Sequence, residues 1–361
     1  MMHRHLAKTG LAACALALAA LTPWPAGAQQ QIRLTIVSGN APAFTAIGAA
    51  IAAFMPKVDE ALARSNKYKI TWVQGWSGSI VKPRGELEGI QTGLGDVGIV
   101  PAPFFPDKLT LYQIGYYTPF TSKDLDVSTL AINHLLAKFP EMGAQGEKFN
   151  QVVLKVSGVA DNYVLFSKRE LTKFSDLKGM KIAAVGANQP WVAAAGAVPV
   201  ATDLATQYNA YQTGIFDGIV LWQQAYSAFR MCEIGKFRLN TDFGAQSPIL
   251  ITVNKDSWGK LPDEVKAAFR QAADAWAAEN DKRIKAGSEA GRQRCEKEQG
   301  LKTTDLSAAD RKAWAFALPN VGQAWAKRQD AAKLPGSKML TAWMDFMRDK
   351  KQPIVRNWDR E

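Results

Sequence analysis

The chain holds three histidines and three cysteines, the side chains most often used as proton shuttle, thiolate nucleophile or soft-metal ligand. His3, His5 and Cys14 fall near the start, around an apolar run from Leu11 to Leu21. That leaves His134, Cys232 and Cys295 for the body of the protein. His134 sits in an apolar helical stretch, A-I-N-H-L-L-A-K-F, and reads as a packed or capping residue. A lone histidine supplies neither a histidine-based catalytic arrangement nor a histidine metal cluster. Cys232 and Cys295 are far apart and lack C-x-x-C spacing, so no zinc or haem signature exists. The acidic pairs Asp59-Glu60 and Asp263-Glu264 lie on expected helices and read as solvated faces. The run Gly75-Trp76-Ser77-Gly78-Ser79 lacks the Lys-Ser/Thr of a phosphate loop. The expectation is therefore a protein that is not an enzyme and uses no cofactor or metal.

What remains is the chemistry of binding. A small-molecule cleft needs a largely apolar wall and a few placed polar groups. Aromatic residues on loops make good walls, and Trp76 in the Gly-Ser loop, Trp191 at a helix start and Trp222 at a strand end are the candidates. Ser38, Asn40, Ser77 and Ser79 sit at strand-to-helix turns, where hydroxyls and backbone N–H groups can hold an anion. Plain helix capping accounts for these four equally well.

The elements that would position these groups alternate strand and helix. Ile32, Leu34 and Ile36 alternate with polar residues in a first strand; Ser38-Gly39-Asn40 turns the chain, with Asn40 as a helix cap and Pro42 near the first helical position. Phe44, Ile47, Ile51, Phe54, Val58 and Leu62 then recur at helical spacing, with Pro56 expected to kink or split the helix. Strands follow at Tyr68–Gln74 and Asp96–Val100, with a helix through Leu87 and Ile90 between them. The segment Pro101–Pro119 reads as an ordered loop with short turns, and Val127–Phe139 as a helix. Strand-like runs at Gln151–Val156 and Tyr163–Ser167 flank a crossover at Ser157–Asn162.

The same rhythm returns between Ser175 and Trp222. Lys181–Val185 and Ala197–Val200 read as short strands, and Ile215–Trp222 as a longer one. Between the last two, Thr202 or Asp203 caps a helix whose Leu204, Tyr208 and Tyr211 share one face, and Gly214 stops it. Pro248–Val253 is a further strand. A long helix opens at Leu261-Pro262-Asp263-Glu264 and can run to Glu296, although Gly287 and Gly291 weaken it. Ser307 with Asp310 resembles a capping box for a last helical region carrying Trp314, Leu318 and Trp325. Alternating strands and helices imply sheets with helical cover, with ligands beyond the strand ends.

The N-terminal stretch has the three-part layout of a secretory signal: His3, Arg4, His5 and Lys8, then the apolar run, then Ala26-Gly27-Ala28 as a cleavage site. The expected mature protein starts near Gln29 and lies in the periplasm. Leu11-Ala-Ala-Cys14 is not a lipoprotein box, because the apolar run follows the cysteine. Roughly 330 remaining residues exceed one hydrophobic core, so two lobes are expected. Removing Arg4 and Lys8 takes the net charge from +11 to +9. Export excludes nucleic acid as a normal partner. The spread of the basic residues suits solubility more than attraction of an anionic solute or of a membrane-protein surface. An oxidising compartment allows Cys232 and Cys295 to pair, while the sequence leaves that pairing open.

Three motifs in order, K-F-S-D-L-K-G-M-K-I, G-A-V-P-V and Y-N-A-Y-Q-T-G-I-F-D-G, resemble the second lobe of solute-binding proteins of tripartite ATP-independent periplasmic (TRAP) transporters, DctP type. E-L-E-G-I-Q-T-G-L-G-D-V-G and Ser257-Trp258 through Leu261-Pro262-Asp-Glu extend the likeness over almost the whole mature chain. The resemblance implies an α/β periplasmic-binding-protein fold of two lobes with mixed sheets, hinge strands and a long helix spanning both. With it go a signal peptide at 1–28, a first lobe of 29–160 plus 247–286, and a second of 161–246 plus 287–361. It further implies a monomeric receptor that closes on a small organic acid, or a related polar or aromatic solute, and delivers it to a membrane permease. Alternatives are a ligand-binding partner of a membrane sensor and, less favoured, a periplasmic enzyme on this scaffold.

One departure from the family pattern matters for ligand chemistry. Proteins of this type hold a carboxylate with an arginine just after the G-x-K-x segment, where this chain has Ala183. A second family arginine falls by spacing at Tyr163. Neither residue reproduces the two-pronged guanidinium–carboxylate bond. Lys82 and Arg84, in S-I-V-K-P-R-G-E, follow the Gly-Ser loop on the segment expected to border the cleft. They are the candidate replacements, against a reading as two surface charges. Together with Ser38, Asn40, Trp76, Ser77, Ser79, Trp191, Leu204 and Trp222, Tyr163 completes the expected binding set.

Overall fold

The computed structural model describes residues 29–361 apart from 185, 203 and 205. The expected signal segment 1–28, and Asp203 as a helix cap, lie outside the described residues. Two mixed sheets carry the fold, as expected. The first comprises β1 (Gln30–Val37), β2 (Tyr68–Gly75), β3 (Val97–Pro101), β4 (Gln151–Ser157) and β10 (Ile249–Asn254), in the order β2-β1-β3-β10-β4. The second comprises β5 (Ala160–Ser167), β6 (Lys181–Ala184), β7 (Val198–Ala201), β8 (Gly218–Trp222), β9 (Phe237–Gln246) and β11 (Lys302–Asp305), in the order β11-β9-β5-β8-β6-β7. Parallel pairs β1–β2 and β1–β3 in one sheet, and β6–β7 and β6–β8 in the other, come from strand–helix–strand crossovers. The antiparallel members are the strands next to the crossings between sheets: β10 beside β3 and β4, and β5 beside β8 and β9.

The chain passes directly from a strand of one sheet to a strand of the other at two short crossings, from β4 to β5 through Gly158 and Val159 and from β9 to β10 through Ser247 and Pro248, and a third time from β10 to β11 by way of helices. The two crossings lie side by side, since the Val159 N–H donates to the Gln246 carbonyl at 2.8 Å. The first is clasped by the long helix Asp263–Gln299, 37 residues ended by Gly300 at φ 66°. The Asp281 carboxylate accepts from the Ser157 hydroxyl and from the Gly158 N–H, each at 2.9 Å. The Asn280 amide donates to the Ser157 hydroxyl and the Gly158 carbonyl, each at 2.8 Å. The helix also reaches both lobes: Trp276 donates to the Ala46 carbonyl at 2.8 Å, and the later turns pack on the helix Gln223–Ala228.

Gly287 and Gly291 are what permit that second contact. A methyl group at 287 would stand 2.8 Å from Gln224 Cγ, and one at 291 would stand 2.7 Å from Ser227 Cβ. Close packing thus repays the weakening that two glycines bring to a helix. Cys232 and Cys295 form a disulfide with a Cα–Cα distance of 5.7 Å, which ties the turn Met231–Glu233 to the end of the long helix.

Several local expectations need correction. Asn40 does not cap a helix: helical residues start at Thr45, with Phe44 in the cap position. Pro56 is accommodated by a wide turn, Ala50–Phe54, that leads directly into Met55–Ala63. This satisfies the expected split, because proline lacks the N–H that a regular turn would use. His134 is neither core nor cap; it is exposed, with its ring 5.3 Å from that of Phe346. The helix Pro140–Glu147 and the strands β9 and β11 were not anticipated. The last helical region resolves into Ala308–Ala317, Val321–Ala331 and Gly336–Asp349, the first capped by Ser307, whose hydroxyl accepts from the Asp310 N–H at 3.0 Å.

Candidate functional site

Between the sheets, beside the two crossings, lies a narrow space of about 50 Å³, room for a few water molecules. Its walls come from both lobes. Phe44, Arg84, Pro101, Pro103 and Phe104 line the side of the first sheet, and Tyr163, Thr202, Leu204, Leu221 and Trp222 that of the second; Tyr116, Val159 and Ile249 complete it at the crossings. Local sequence explains each placement. β3 ends in Pro101 and the turn Ala102–Phe104, which turns its aromatic ring toward the cleft. β5 and β8 pair with Tyr163 opposite Trp222, so the two rings meet edge to face at 5.5 Å.

Arg84 is the charged residue among the described lining residues. It stands in the left-handed region at φ 64°, an uncommon conformation for a residue with a side chain. Its guanidinium lies 5.2 Å from the centroid of the Phe104 ring. The Gly85 N–H, which donates to the Lys82 carbonyl at 2.9 Å, closes the tight turn that carries it. Behind this turn, Glu86 is fully buried; its carboxylate accepts from the Gly39 N–H at 3.0 Å and from the Asn40 amide at 3.4 Å. Burial pushes the Glu86 carboxyl above its usual value, and the backbone N–H donors only partly oppose that.

The opposite wall is neutral. The hydroxyls of Tyr116 and Tyr163 are 3.3 Å apart and hydrogen-bonded. Burial pushes Tyr163 up to about 12, and pushes Tyr116 well above the ordinary phenol range. Both therefore stay protonated at neutral pH. Trp191 packs behind them, 5.9 Å from the Tyr163 ring, and its indole donates to the Tyr116 carbonyl at 3.0 Å.

Of the expected binding residues, the structure brings Arg84, Tyr163, Leu204 and Trp222 together in this space. It places the others elsewhere. Ser38 is fully buried at the end of β1, and its backbone N–H donates to the Gly75 carbonyl. Asn40 faces Glu86, while Ser77, at φ 57°, donates its N–H to the Asn40 carbonyl at 2.9 Å. Ser79 is exposed, and the Trp76 indole donates to Gln74 at 2.9 Å. The Lys82 ammonium is directed to the Gly78 carbonyl at 3.0 Å. Trp191 is fully buried behind the wall. Ala183 is fully buried within β6, beside Val200 of β7. Phe44, Phe104 and Tyr116 were missed, although the Pro-, Phe- and Tyr-rich composition of 101–119 was a signal for the last two. A larger recess of about 510 Å³ lies on the outer flank, lined among others by Lys108, Lys148, Tyr117, Trp325 and Arg328. None of its lining residues comes from the strands of the second sheet, whereas the smaller space is walled from both sheets.

Two sheets, two short crossings, a long helix that packs on both lobes and a cleft lined from each side define a two-lobed binding-protein fold. The chain belongs to the family of bacterial extracellular solute-binding proteins, family 7 (DctP), whose model matches residues 41–329. The C4-dicarboxylate-binding periplasmic protein DctP of Rhodobacter capsulatus is 26% identical over 280 residues, 73% of this chain and 78% of that protein. A TRAP periplasmic solute-binding protein of Desulfovibrio salexigens shares the fold with a TM-score of 0.76 at 18% identity, over 88% of this chain and 96% of its own. DctP7 of Bordetella pertussis, a receptor binding pyroglutamic acid, does so with a TM-score of 0.72 at 18% identity, over 86% and 99%. Another D. salexigens protein, with bound orotic acid, has a TM-score of 0.70 at 18% identity, over 88% and 99%. Among the described residues, no helix is long and apolar enough to cross a membrane, and no group of metal-ligating side chains is present.

Proposed function

We propose that this protein is the extracytoplasmic receptor of a TRAP-type uptake system. It captures a small organic acid between its lobes and presents the closed form to a membrane permease. The observation that carries this reading is the cleft: one guanidinium, Arg84, on the first lobe faces an aromatic wall on the second across the crossings. A ligand touching both walls is bound fully when the lobes are together, so binding shifts the population toward the closed form. We place the lobes at 29–160 plus 247–286 and 161–246 plus 287–361, a division supported by the sheet membership of β4, β5, β9 and β10. The C-terminal part also packs outside the second sheet, with Gly336–Asp349 against Leu125–Lys138.

Binding without turnover, export through the segment 1–28 to the periplasm, and a monomeric state belong to the same reading. The relatives with bound pyroglutamate, orotate, glucuronate and galacturonate took up acids with a single carboxylate, which suits a cleft with one cation. The test is a thermal-shift screen against organic acids, followed by calorimetry and small-angle scattering on the hits. A binder raises the melting temperature by mass action, reduces the radius of gyration and is recovered unchanged. Failure of every acid to bind, or conversion of the one that binds, would overturn the proposal.

A further inference from the structure

The recess on the outer flank, about 510 Å³, shares no lining residue with the cleft. Its volume falls within the roughly 300–1,000 Å³ span of small-molecule sites. Three segments build it: residues 106–117, the end of the helix Pro140–Glu147 with Lys148 and Phe149 beyond it, and the helix Val321–Ala331 with Ala332 and Leu334. Side chains lock the three together. The Gln145 amide donates to the Thr110 hydroxyl at 2.8 Å, and that hydroxyl donates to the Gln329 side-chain carbonyl at 2.7 Å. The Leu111 N–H donates to the Gln145 side-chain carbonyl at 3.1 Å, and the Trp325 indole to the Thr110 carbonyl at 3.2 Å. The frame is therefore set before a ligand arrives, which lowers the ordering cost of binding.

Charge on this frame is one-sided. Lys108, Lys148 and Arg328 line the recess against one acid, Asp107. Lys108 pairs with Glu88, whereas among the described residues no carboxylate lies in ion-pair reach of Lys148 or Arg328. The Arg328 guanidinium lies 5.3 Å from the centroid of the Tyr117 ring, and the Lys108 ammonium 5.5 Å from that of Phe149. An arginine held against a ring in this way still has its fork of N–H donors for a carboxylate. Pro106, Phe149 and Leu334 add apolar wall. Cations on open surface are simply hydrated; cations converging on one concave, partly apolar space focus their field there.

We propose that this recess is a second ligand site, separate from the cleft, for a multivalent organic anion: two or more acid groups carried on one compact apolar body. Two unpaired cations call for more than one acid group, because a single carboxylate leaves one of them unanswered. The apolar wall calls for the body, because a small inorganic anion leaves that wall uncovered. The two spaces share no residue, so this site does not depend on what the cleft binds.

The probe is trimesate, a benzene ring with three carboxylates. Its comparators are benzoate, with the ring and one carboxylate, and pyrophosphate, with the charge and no apolar body. In titration calorimetry trimesate is expected to bind saturably, as tightly to Arg84→Met as to the wild type. In Arg84→Met it should bind at least ~10-fold tighter than either comparator, about the worth of one charged hydrogen bond. Adding Arg328→Met or Lys148→Met to Arg84→Met should each weaken trimesate at least ~10-fold. Both side chains are exposed, so an unchanged melting temperature is expected to accompany the loss.

Trimesate binding that vanishes in Arg84→Met, or that keeps its strength in both recess variants, would put the anion elsewhere and overturn the inference. Benzoate or pyrophosphate binding as tightly as trimesate would do the same, as would a failure of trimesate to bind saturably. The receptor reading is decided separately, by the acid screen above.

Discussion

The position of Arg84 can be tested without touching its charge. Gly39 lies against the turn that carries Arg84: a Cβ at 39 would stand 2.3 Å from the Pro83 nitrogen and 2.5 Å from the Lys82 carbonyl carbon and the Pro83 Cα. All three are backbone atoms, so no rotamer change relieves the overlap. To restore ordinary contact the turn must recede by about 1 Å. Arg84 is the next residue and is already in a constrained conformation at φ 64°. Gly39→Ala is therefore expected to carry the guanidinium away from its ligand. A charged hydrogen bond is worth about 1.5–3 kcal/mol, and stretching it by about 1 Å from its normal length removes most of that. The expected loss of affinity for the best acid found by screening is roughly 10- to 100-fold, with Arg84→Met similar. Lys82→Met, whose ammonium is spent on the Gly78 carbonyl, should change little. The decisive measurement is the double variant. If Gly39→Ala acts through Arg84, adding it to Arg84→Met costs less than about 0.5 kcal/mol more. Calorimetric stoichiometry guards against counting unfolded protein. Full additivity, or wild-type affinity in folded Gly39→Ala, would refute the argument.

Other outcomes follow from the same geometry. Replacing Cys232 and Cys295 by serine opens a loop with a sequence separation of 63; the chain-entropy estimate is about 4 kcal/mol, read as a melting temperature lowered by several degrees and matched by the wild type under reductant. Glu86→Gln tests the buried carboxylate, one of whose oxygens has no partner. Its folded-state value is raised, so the proton is held more tightly in the folded protein, and its contribution to stability falls as pH rises through the range above 4.5. The variant should melt higher than wild type at pH 7, with the gap closing in acid; a gap that widens in acid contradicts this. Gly158→Ala sets a methyl group 2.6 Å from Leu125 Cδ1 and 2.8 Å from the Asp281 carboxylate at the first crossing. It should cost on the order of 1–3 kcal/mol in denaturant unfolding and alter the ligand-induced change in scattering; unchanged values in both would remove the clasp from the account.

The alternating rhythm of strand and helix, the crossover near Gly158 and the long helix were legible because each is written locally. Apolar runs between glycines give strands, and Pro262 with Asp263 and Glu264 opens the helix. β9 was not legible for a physical reason: F-R-L-N-T-D-F-G-A-Q does not keep one alternation. Its register shifts against β5, and Asp242 and Gly244 both take positive φ, so the partner strand and not the pattern defines it. The site divides along the same line. Trp222 was readable because it ends a strand, and strand ends face the space between lobes, whereas Tyr163, inside β5, was reached through the family pattern, at the position of an arginine. Ser38, Ser77 and Ser79 had the right chemistry on the right kind of turn, yet the turn's direction is set by Gly39 packing on Pro83, a contact 44 positions away in the sequence. That packing leaves Arg84, not Lys82 or the serines, facing the aromatic wall. Recognition in this fold is therefore decided by which loops the crossings bring together. On the proposed reading, a chain that lacks arginine at both positions where its family pattern has one meets its anion with a cation from the other lobe, Arg84.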